Sequence, residues 1–228
     1  MKILAVDTAT QRCSAALMIE DHIEERCQTA VRAHAELILP MVEALLSTAG
    51  VSLAQLDALA FGRGPGGFTG VRVAAAMIQG LAFGVDLPVV PVSDLMALAV
   101  GAHRLHNSSR ILSCLDARMG EVYYCTYKVS AEGSTSAGGE ELLVTPERMH
   151  LPDAGPWFAA GPGLRVHGKT LMERLGSAMA GQDDTLLPAA RDIAALARQA
   201  LARGQAVDAE AAVPVYLRER VAWPKSPL

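Results

Sequence analysis

The stretch that decides the fold runs from residue 56 to residue 80 and reads LDALAFGRGPGGFTGVRVAAAMIQG. Leu56 to Phe61 is a short apolar run of the kind that forms a buried strand. The glycine-rich segment from Gly62 to Gly70 leads into an apolar segment, which we expect to be a helix ending near Gly84. The order strand, turn, helix is the repeating unit of α/β proteins, so this stretch predicts that fold class.

The residues before this unit predict a hairpin and a helix. Residues 3–6 and 13–19 are apolar strands joined by the polar tip Asp7 to Arg12. From His34 to Ala49 apolar residues recur at helical spacing, and Pro40 should either start this helix or kink it. The sheet is therefore expected to be mixed, with antiparallel strands at its start.

The residues after the unit continue the alternation. Val89 to Val92 predicts a strand, and Ser93 is a suitable N-cap for a helix from Asp94 to His103. Two further strand-like runs, Ile111 to Ala117 and Glu121 to Val129, surround a tight turn. No internal repeat is visible, and the whole pattern indicates mixed sheets flanked by helices.

The polar segment at residues 105–110 is the best place to divide the chain into two lobes. The first lobe then covers residues 1–104 and the second covers residues 105–228. In the second lobe the Gly/Ser-rich residues 130–140 predict a mobile loop, and residues 191–203 predict an alanine-rich helix. The last residues of the chain are expected to pack back on the first lobe.

The composition suggests that part of the apolar surface is covered by another chain. Hydrophobic residues make up 51% of the 228 residues and charged residues 19%, against about 25% charged in an average protein. The net charge of −4 argues against a surface that grips nucleic-acid phosphates unaided. Any role on RNA therefore needs a partner.

The sequence predicts no membrane segment and a cytoplasmic location. The longest charge-free apolar run, Val73 to Val85, is shorter than the roughly 20 residues that cross a bilayer. Asp7 follows the start of the chain too early for the core of a signal peptide.

The cysteines give no metal or redox motif. Cys13, Cys27, Cys114 and Cys125 lack C-x-x-C spacing. A two-residue turn at positions 119 and 120 would place Cys114 opposite Cys125, and we expect both thiols to be reduced.

Two helices of the first lobe have more apolar surface than one sheet needs. In the helix that follows Gly70 the polar side chains are few, and the helix at 34–49 is apolar on more than one side. Such a helix is either buried within its own lobe or covered by another chain, and two of them side by side favour an interface. The candidate interface residues are His34, Leu37, Ile38, Met41, Val42, Leu45, Val73, Ala76, Met77, Gly80 and Leu81.

The segment from Gly62 to Gly67 fits the dinucleotide pattern G-x-G-x-x-G, but its context does not. The acidic residue about 20 positions further on should end a second strand, and Asp86 instead lies in the predicted exit turn of a helix. The segment also lacks the Lys-Ser/Thr pair of a P-loop. We interpret it as a tight glycine turn that lets the backbone and a helix pack closely.

The tip of the first hairpin offers an alternative, enzymatic function. Asp7, Thr8 and Thr10 lie where sugar kinases and actin relatives hold the phosphates of ATP. The glycine that lets the backbone approach the phosphate is absent here. An ATP-dependent, kinase-like phosphotransferase or hydrolase that uses this loop is therefore disfavoured but stays open.

Four segments together resemble the TsaB family, also called YeaZ, along nearly the whole chain. They are residues 3–10, 62–72, 116–123 and 214–218, which read ILAVDTAT, GRGPGGFTGVR, DARMGEVY and PVYLR. One departure is Gly67, where the family usually has a serine.

The resemblance implies an actin-like, two-lobed α/β fold and a role in making threonylcarbamoyladenosine in tRNA. It implies two partners: TsaD, the metal-dependent relative that transfers threonylcarbamoyl to the adenosine beside the anticodon, and TsaE, an ATPase. It also implies docking on TsaD through the two helices of the first lobe and a homodimer when the chain is alone. tRNA would be reached only through the complex, and no cofactor of its own is expected.

The resemblance further implies that the chain is not itself an enzyme. The metal-binding histidines of TsaD lie in a V-N-H-x-x-x-H helix start, and the matching stretch here is Val92 to Leu98. The two ligand positions are occupied by Asp94 and Leu98, and a leucine cannot coordinate a metal. The expected role is a scaffold or activator, and a peptidase function is disfavoured for the same reason.

Overall fold

The computed structural model describes residues 1–30, 33–150 and 155–218, and these residues form two sheets. In the first sheet the order is β3-β2-β1-β4-β5, with β1 at Lys2–Asp7, β2 at Arg12–Ile19, β3 at His22–Thr29, β4 at Ala58–Gly62 and β5 at Val89–Val92. In the second sheet the order is β11-β10-β6-β7-β8, with β6 at Arg110–Arg118, β7 at Glu121–Val129, β8 at Thr135–Ala137, β10 at Trp157–Ala160 and β11 at Met179–Asp183. A short strand, β9 at Leu142–Val144, also pairs with β7.

The two sheets share one topology. In each, the first strand pairs antiparallel with the second and parallel with a strand that follows later in the chain. The helices are α1 at His34–Ala49, α2 at Phe68–Val85, α3 at Asp94–His106, α4 at Gly163–Leu175 and α5 at Ala190–Ala202. Helix α2 connects β4 to β5, and α4 connects β10 to β11, which are the right places for the crossovers that parallel strands require.

The helices and sheets form alternating layers. Helices α1 and α2 share an apolar core with the outer side of the first sheet. Helix α5 covers the other side of that sheet, and α3 packs both beside α5 and against the second sheet. Helix α4 covers the far side of the second sheet. The middle layer of α3 and α5 therefore joins the two sheets, and the predicted two-lobed α/β fold is confirmed.

Several predicted elements are confirmed and some predictions are wrong. The first hairpin, the strand and helix around the glycine turn, α3 with its Ser93 cap and α5 all form. Helix α1 already begins at His34, so Pro40 lies inside the helix and does not start it. Residues 130–140 are not a simple loop, because β8 forms within them.

The predicted pairing of Cys114 with Cys125 is also wrong. Cys114 lies opposite Tyr124, and Ser113 lies opposite Cys125. A bulge between Asp116 and Arg118 adds one residue to β6 and shifts the register. A shift of one residue moves a side chain to the other side of the sheet, so the two thiols lie in different cores and remain free.

The chain after α5 returns to the first sheet and then crosses to the second. The Val215 N–H donates to the Arg63 carbonyl in the glycine turn. Three residues further on, the Arg218 guanidinium donates to the Ala117 carbonyl and forms an ion pair with Glu121 in the second sheet. The described end of the chain thus connects the two sheets beside the glycine turn.

Candidate functional site

Helix α2 has one side in the core and one side in solvent. Its buried residues recur at helical spacing and face the first sheet: Val71, Ala74, Ala75, Ile78 and Ala82. The helix also carries seven exposed residues: Phe68, Thr69, Arg72, Ala76, Gly80, Phe83 and Gly84. Arg72 is the one charged residue of the helix.

The exposed side of α2 is apolar over most of its length. The Phe83 side chain is 78% exposed, the largest exposure among the described large hydrophobic residues. A Cβ atom at Gly80 or Gly84 would meet no atom within 4 Å, so the surface between the larger side chains is open. By length and composition alone α2 could also cross a membrane, but its packing on the first sheet places it within a folded lobe.

Helix α1 lies beside α2 on the same sheet and adds to this surface. Ile38, Val42 and Leu45 point into the core, while Leu39 is 43% exposed. Glu43 is exposed as well. The exposed residues of α1 and α2 are called the outer face below; its large apolar members are Leu39, Phe68 and Phe83, and Ala76 and Gly80 are among its small ones.

The residues predicted for an interface fall into three groups in the structure. Ile38, Val42 and Leu45 are buried, and a docked partner could not reach their side chains. A second group is half-buried and packs on the edge of the core: Leu37, Met41, Val73, Met77 and Leu81. Ala76 and Gly80 are exposed.

Three exposed large apolar residues of the two helices, Leu39, Phe68 and Phe83, were missed by the sequence analysis. Helical periodicity selects the side that faces the sheet, because that side carries the regular apolar spacing. A run of apolar residues without a polar side, such as the last three turns of α2, was the signal that could have indicated them.

His34, also predicted at the interface, has a role within the lobe. It begins α1, and its Nε2 atom lies 2.8 Å from the Thr10 carbonyl oxygen. Because a carbonyl only accepts hydrogen bonds, the ring N–H is the donor. His34 therefore fastens the start of α1 to the tip of the first hairpin.

The tip of this hairpin is covered by the glycine turn. The Gly67 N–H donates to the Ala9 carbonyl at 2.7 Å, and the Thr8 hydroxyl donates to the Gly70 carbonyl at 2.7 Å. A Cβ atom at Gly70 would lie 1.9 Å from the Thr8 carbonyl oxygen, so only glycine permits this contact. The interpretation of this segment as a turn for close packing is confirmed.

Asp7 and Thr8 are fully enclosed by these contacts. Asp7 is 0% exposed and Thr8 is 1% exposed. The Ala9 N–H donates to Asp7 Oδ1 at 2.7 Å, so this amide is already used inside the loop. The hairpin tip offers a phosphate little access in this conformation.

The two positions matched to metal ligands are buried as well. Leu98 is 0% exposed and packs between α3 and the second sheet. Asp94 is 0% exposed, and its Oδ2 atom accepts a hydrogen bond from the Gly64 N–H at 2.5 Å. Over residues 1–30, 33–150 and 155–218 no group of three or more His, Cys, Asp or Glu side chains could hold a metal ion.

Asp94 also meets Asp7 beneath the glycine turn. Their side chains converge above Gly62, and burial together with the charge of Asp7 raises the pKa of Asp94 well above its usual range. Burial also raises the pKa of Asp7, although the Ala9 N–H opposes this. The position matched to a metal ligand in TsaD therefore holds a carboxyl group that stays protonated at higher pH than an ordinary aspartate.

Comparison with known proteins supports the resemblance. The family model described as TsaD, tRNA N6-adenosine threonylcarbamoyltransferase, matches residues 27–225. The tRNA threonylcarbamoyladenosine biosynthesis protein TsaB of Escherichia coli is 42% identical over 231 residues, covering 100% of this chain and 99% of that protein. TsaB of Haemophilus influenzae is 38% identical over 240 residues, covering 100% and 98%.

Solved structures agree with the sequence relatives. YeaZ from Pseudomonas aeruginosa has a TM-score of 0.88 and 45% sequence identity, covering 95% of this chain and 99% of that chain. The match includes both sheets and the layer between them, since it covers almost the whole chain. On this architecture and these full-length relatives, the chain belongs to the TsaB (YeaZ) family of tRNA threonylcarbamoyladenosine biosynthesis proteins.

Proposed function

We propose that this chain is a non-catalytic partner of TsaD, which acts with TsaE to transfer threonylcarbamoyl to the adenosine beside the tRNA anticodon in the cytoplasm. Its role is to stabilise the conformation of TsaD that accepts its substrates. A scaffold of this kind acts in proportion to the difference in its affinity for the two TsaD conformations. tRNA is then bound by the assembled complex and not by this acidic chain alone.

The outer face of α1 and α2 is the observation that carries this proposal. Phe83 on α2 is 78% exposed and Leu39 on the neighbouring α1 is 43% exposed, and the open backbone at Gly80 lies one turn before Phe83. Large exposed apolar residues around a surface of small residues are typical of a protein interface. We expect TsaD to cover this face, and a second copy of the chain to cover it when TsaD is absent.

The closed hairpin tip argues against the alternative ATP-dependent activity. A phosphate at this tip would have to displace the glycine turn, because the Ala9 amide is bonded to Asp7 and the Ala9 carbonyl to Gly67. Asp7 is also a poor ligand for the magnesium ion of ATP, which needs ionised and accessible carboxylates, because Asp7 is 0% exposed and burial raises its pKa. A nucleotide titration of the isolated chain that gave measurable, Asp7-dependent affinity would revive this alternative.

A charge placed at Gly80 tests the interface without disturbing the core. The Gly80→Glu side chain has open space, and replacing a helical glycine with glutamate favours the helix. The matched control is Gly168→Glu in α4, where a Cβ atom also meets nothing within 4 Å. Charges at Met41 or Met77 are less clean tests, because both side chains pack on the core and a charge there also destabilises the lobe.

The measurement is co-purification of TsaD from the same organism with each tagged variant, followed by a threonylcarbamoyl-transfer assay with TsaE and tRNA. The wild type and Gly168→Glu should retain TsaD and support transfer, while Gly80→Glu should do neither and keep its melting temperature. Retention of TsaD by Gly80→Glu would remove the outer face from the proposal. Transfer at the full rate without this chain would remove the activator role.

A further inference from the structure

Two buried carboxyl groups meet at the point where the glycine turn, the first hairpin and α3 come together. Asp7 ends β1, and Asp94 begins α3. A Cβ atom at Gly62 would lie 2.4 Å from Asp94 Oδ1 and 3.0 Å from Asp7 Oδ1, so both carboxyl groups converge above this glycine. Both residues are 0% exposed.

Each carboxyl group has one oxygen with a partner and one without. Asp7 Oδ1 accepts from the Ala9 N–H, and Asp94 Oδ2 accepts from the Gly64 N–H. Asp7 Oδ2 and Asp94 Oδ1 are buried and have no donor. Two ionised carboxylates offer only acceptors, whereas a proton on one of them supplies the missing donor and satisfies both oxygens.

The surroundings decide which carboxyl group takes the proton. The positive side chain of Arg12 on β2 and the ring of His34 on α1 act on Asp7 and favour its charge. Asp94 instead faces the negative charges of Asp7 and Glu141. Glu141 is itself bound by Tyr127 and Arg63, and the nearby Cys13 thiol is kept neutral by burial and by the charge of Asp7.

We propose that Asp7 and Asp94 hold one proton between them, carried by Asp94 and donated to Asp7, and that this proton binds the start of α3 to the end of β1 at the first hairpin. The pair is called the carboxyl pair below. Without the proton, two negative charges would face each other away from water, and the direct bond between the start of α3 and the end of β1 would be lost.

The carboxyl pair makes stability depend on pH in a defined direction. In the unfolded chain both aspartates ionise near pH 4, whereas the folded chain keeps one proton to higher pH. The folded state therefore binds one more proton above pH 4, and stability falls as pH rises toward the value at which Asp94 loses its proton. In this range the unfolding equilibrium constant rises by up to about tenfold per pH unit from this pair alone.

The first test observes the proton directly on the wild-type chain. Carbon-13 NMR of the chain labelled at the aspartate side-chain carboxyl carbons, followed from acidic to neutral pH, should show one aspartate that keeps the shift of a protonated carboxyl group after the exposed aspartates have ionised. That signal should disappear in Asp94→Asn. Ionisation of all aspartates over the same pH range would overturn the proposal.

The second test compares the pH dependence of unfolding for matched variants. Asp94→Asn keeps the acceptor for Gly64 and donates its amide N–H to Asp7, so its unfolding constant should lose the tenfold dependence above pH 4. Asp192→Asn is the control, because Asp192 is also buried but is paired with Arg104. The control should retain the wild-type slope while it lowers stability, and an identical slope in Asp94→Asn and the wild type would contradict the shared proton.

Discussion

Truncation of Phe83 should weaken TsaD binding by about two orders of magnitude or slightly less. A phenylalanine side chain offers on the order of 200 Å² of apolar surface, and this one is 78% exposed in the free chain. Full coverage by a partner would therefore remove roughly 150 Å² from water, worth about 3 to 4 kcal/mol at ~25 cal/mol per Å². Phe83→Ala retains Cβ, so we expect a loss of about 2 to 3 kcal/mol, or about 30- to 150-fold in Kd.

Calorimetric titration of TsaD with the wild type and the variant measures this loss. The control is Val166→Ala on α4, which removes a 58% exposed apolar side chain from the other lobe and should leave Kd unchanged. Phe83→Ala should alter the free energy of unfolding by less than about 1 kcal/mol, because surface substitutions rarely cost more. A Kd within about threefold of the wild type would refute the assignment of Phe83 to the interface.

Three further predictions concern the folded chain itself. Gly70→Ala should lower the free energy of unfolding by about 3 kcal/mol and the melting temperature by roughly 6 to 12 °C, because the new Cβ atom would lie 1.9 Å from the Thr8 carbonyl oxygen. The control Gly84→Ala, where the Cβ atom has open space, should not lower the melting temperature. Arg104→Met should lower the free energy of unfolding, measured in urea, by about 2 kcal/mol. The Arg104 guanidinium donates to both Asp192 carboxylate oxygens at 2.9 and 3.0 Å, and the variant leaves this buried carboxylate without its cation. An unchanged free energy of unfolding would contradict the importance of this contact. Alkylation at pH 8 followed by mass spectrometry should label the exposed Cys27 first. Burial raises the pKa of Cys13 to about 11 and of Cys114 to about 12, which keeps both thiols in the unreactive protonated form. Equal labelling of all four cysteines in the folded chain would contradict this prediction.

The first half of the fold could be predicted because its elements are long and strongly patterned. Helices α1 and α2 span 16 and 18 residues with regular apolar spacing, and β1 and β2 are continuous apolar runs. The second half contains strands that their own sequence does not indicate. β8 reads Thr-Ser-Ala and β11 reads Met-Ala-Gly-Gln-Asp, and both form because a neighbouring strand supplies hydrogen bonds.

The candidate site shows the same difference between pattern and context. Periodicity located the two helices correctly but ranked buried Leu45 beside exposed Gly80, because spacing alone does not separate the sheet side from the solvent side when both are apolar. The match to TsaD drew attention to Asp94 because TsaD has a metal-binding histidine at that position. Only the fold shows that this carboxyl group meets Asp7, because the two residues are 87 positions apart in the sequence.

The repeated topology explains why function in this chain is expected on an outer surface. In open α/β sheets ligands bind at the carboxyl ends of the strands, and here both sheets are closed at that place by a Gly-Pro-Gly turn, Gly64 to Gly66 and Gly161 to Gly163. A Cβ atom at Gly66 would lie 2.7 Å from the Ala9 carbonyl, and one at Gly161 would lie 2.3 Å from the Cys114 carbonyl. In each half of the chain, the backbone of the turn packs against the first hairpin of that half. It therefore occupies the space that a ligand would need. If TsaD binds as proposed, the exposed apolar side of α2 is the expected surface for it. Substitutions on that side should therefore weaken complex formation, while substitutions at the glycine turns should first destabilise the folded chain.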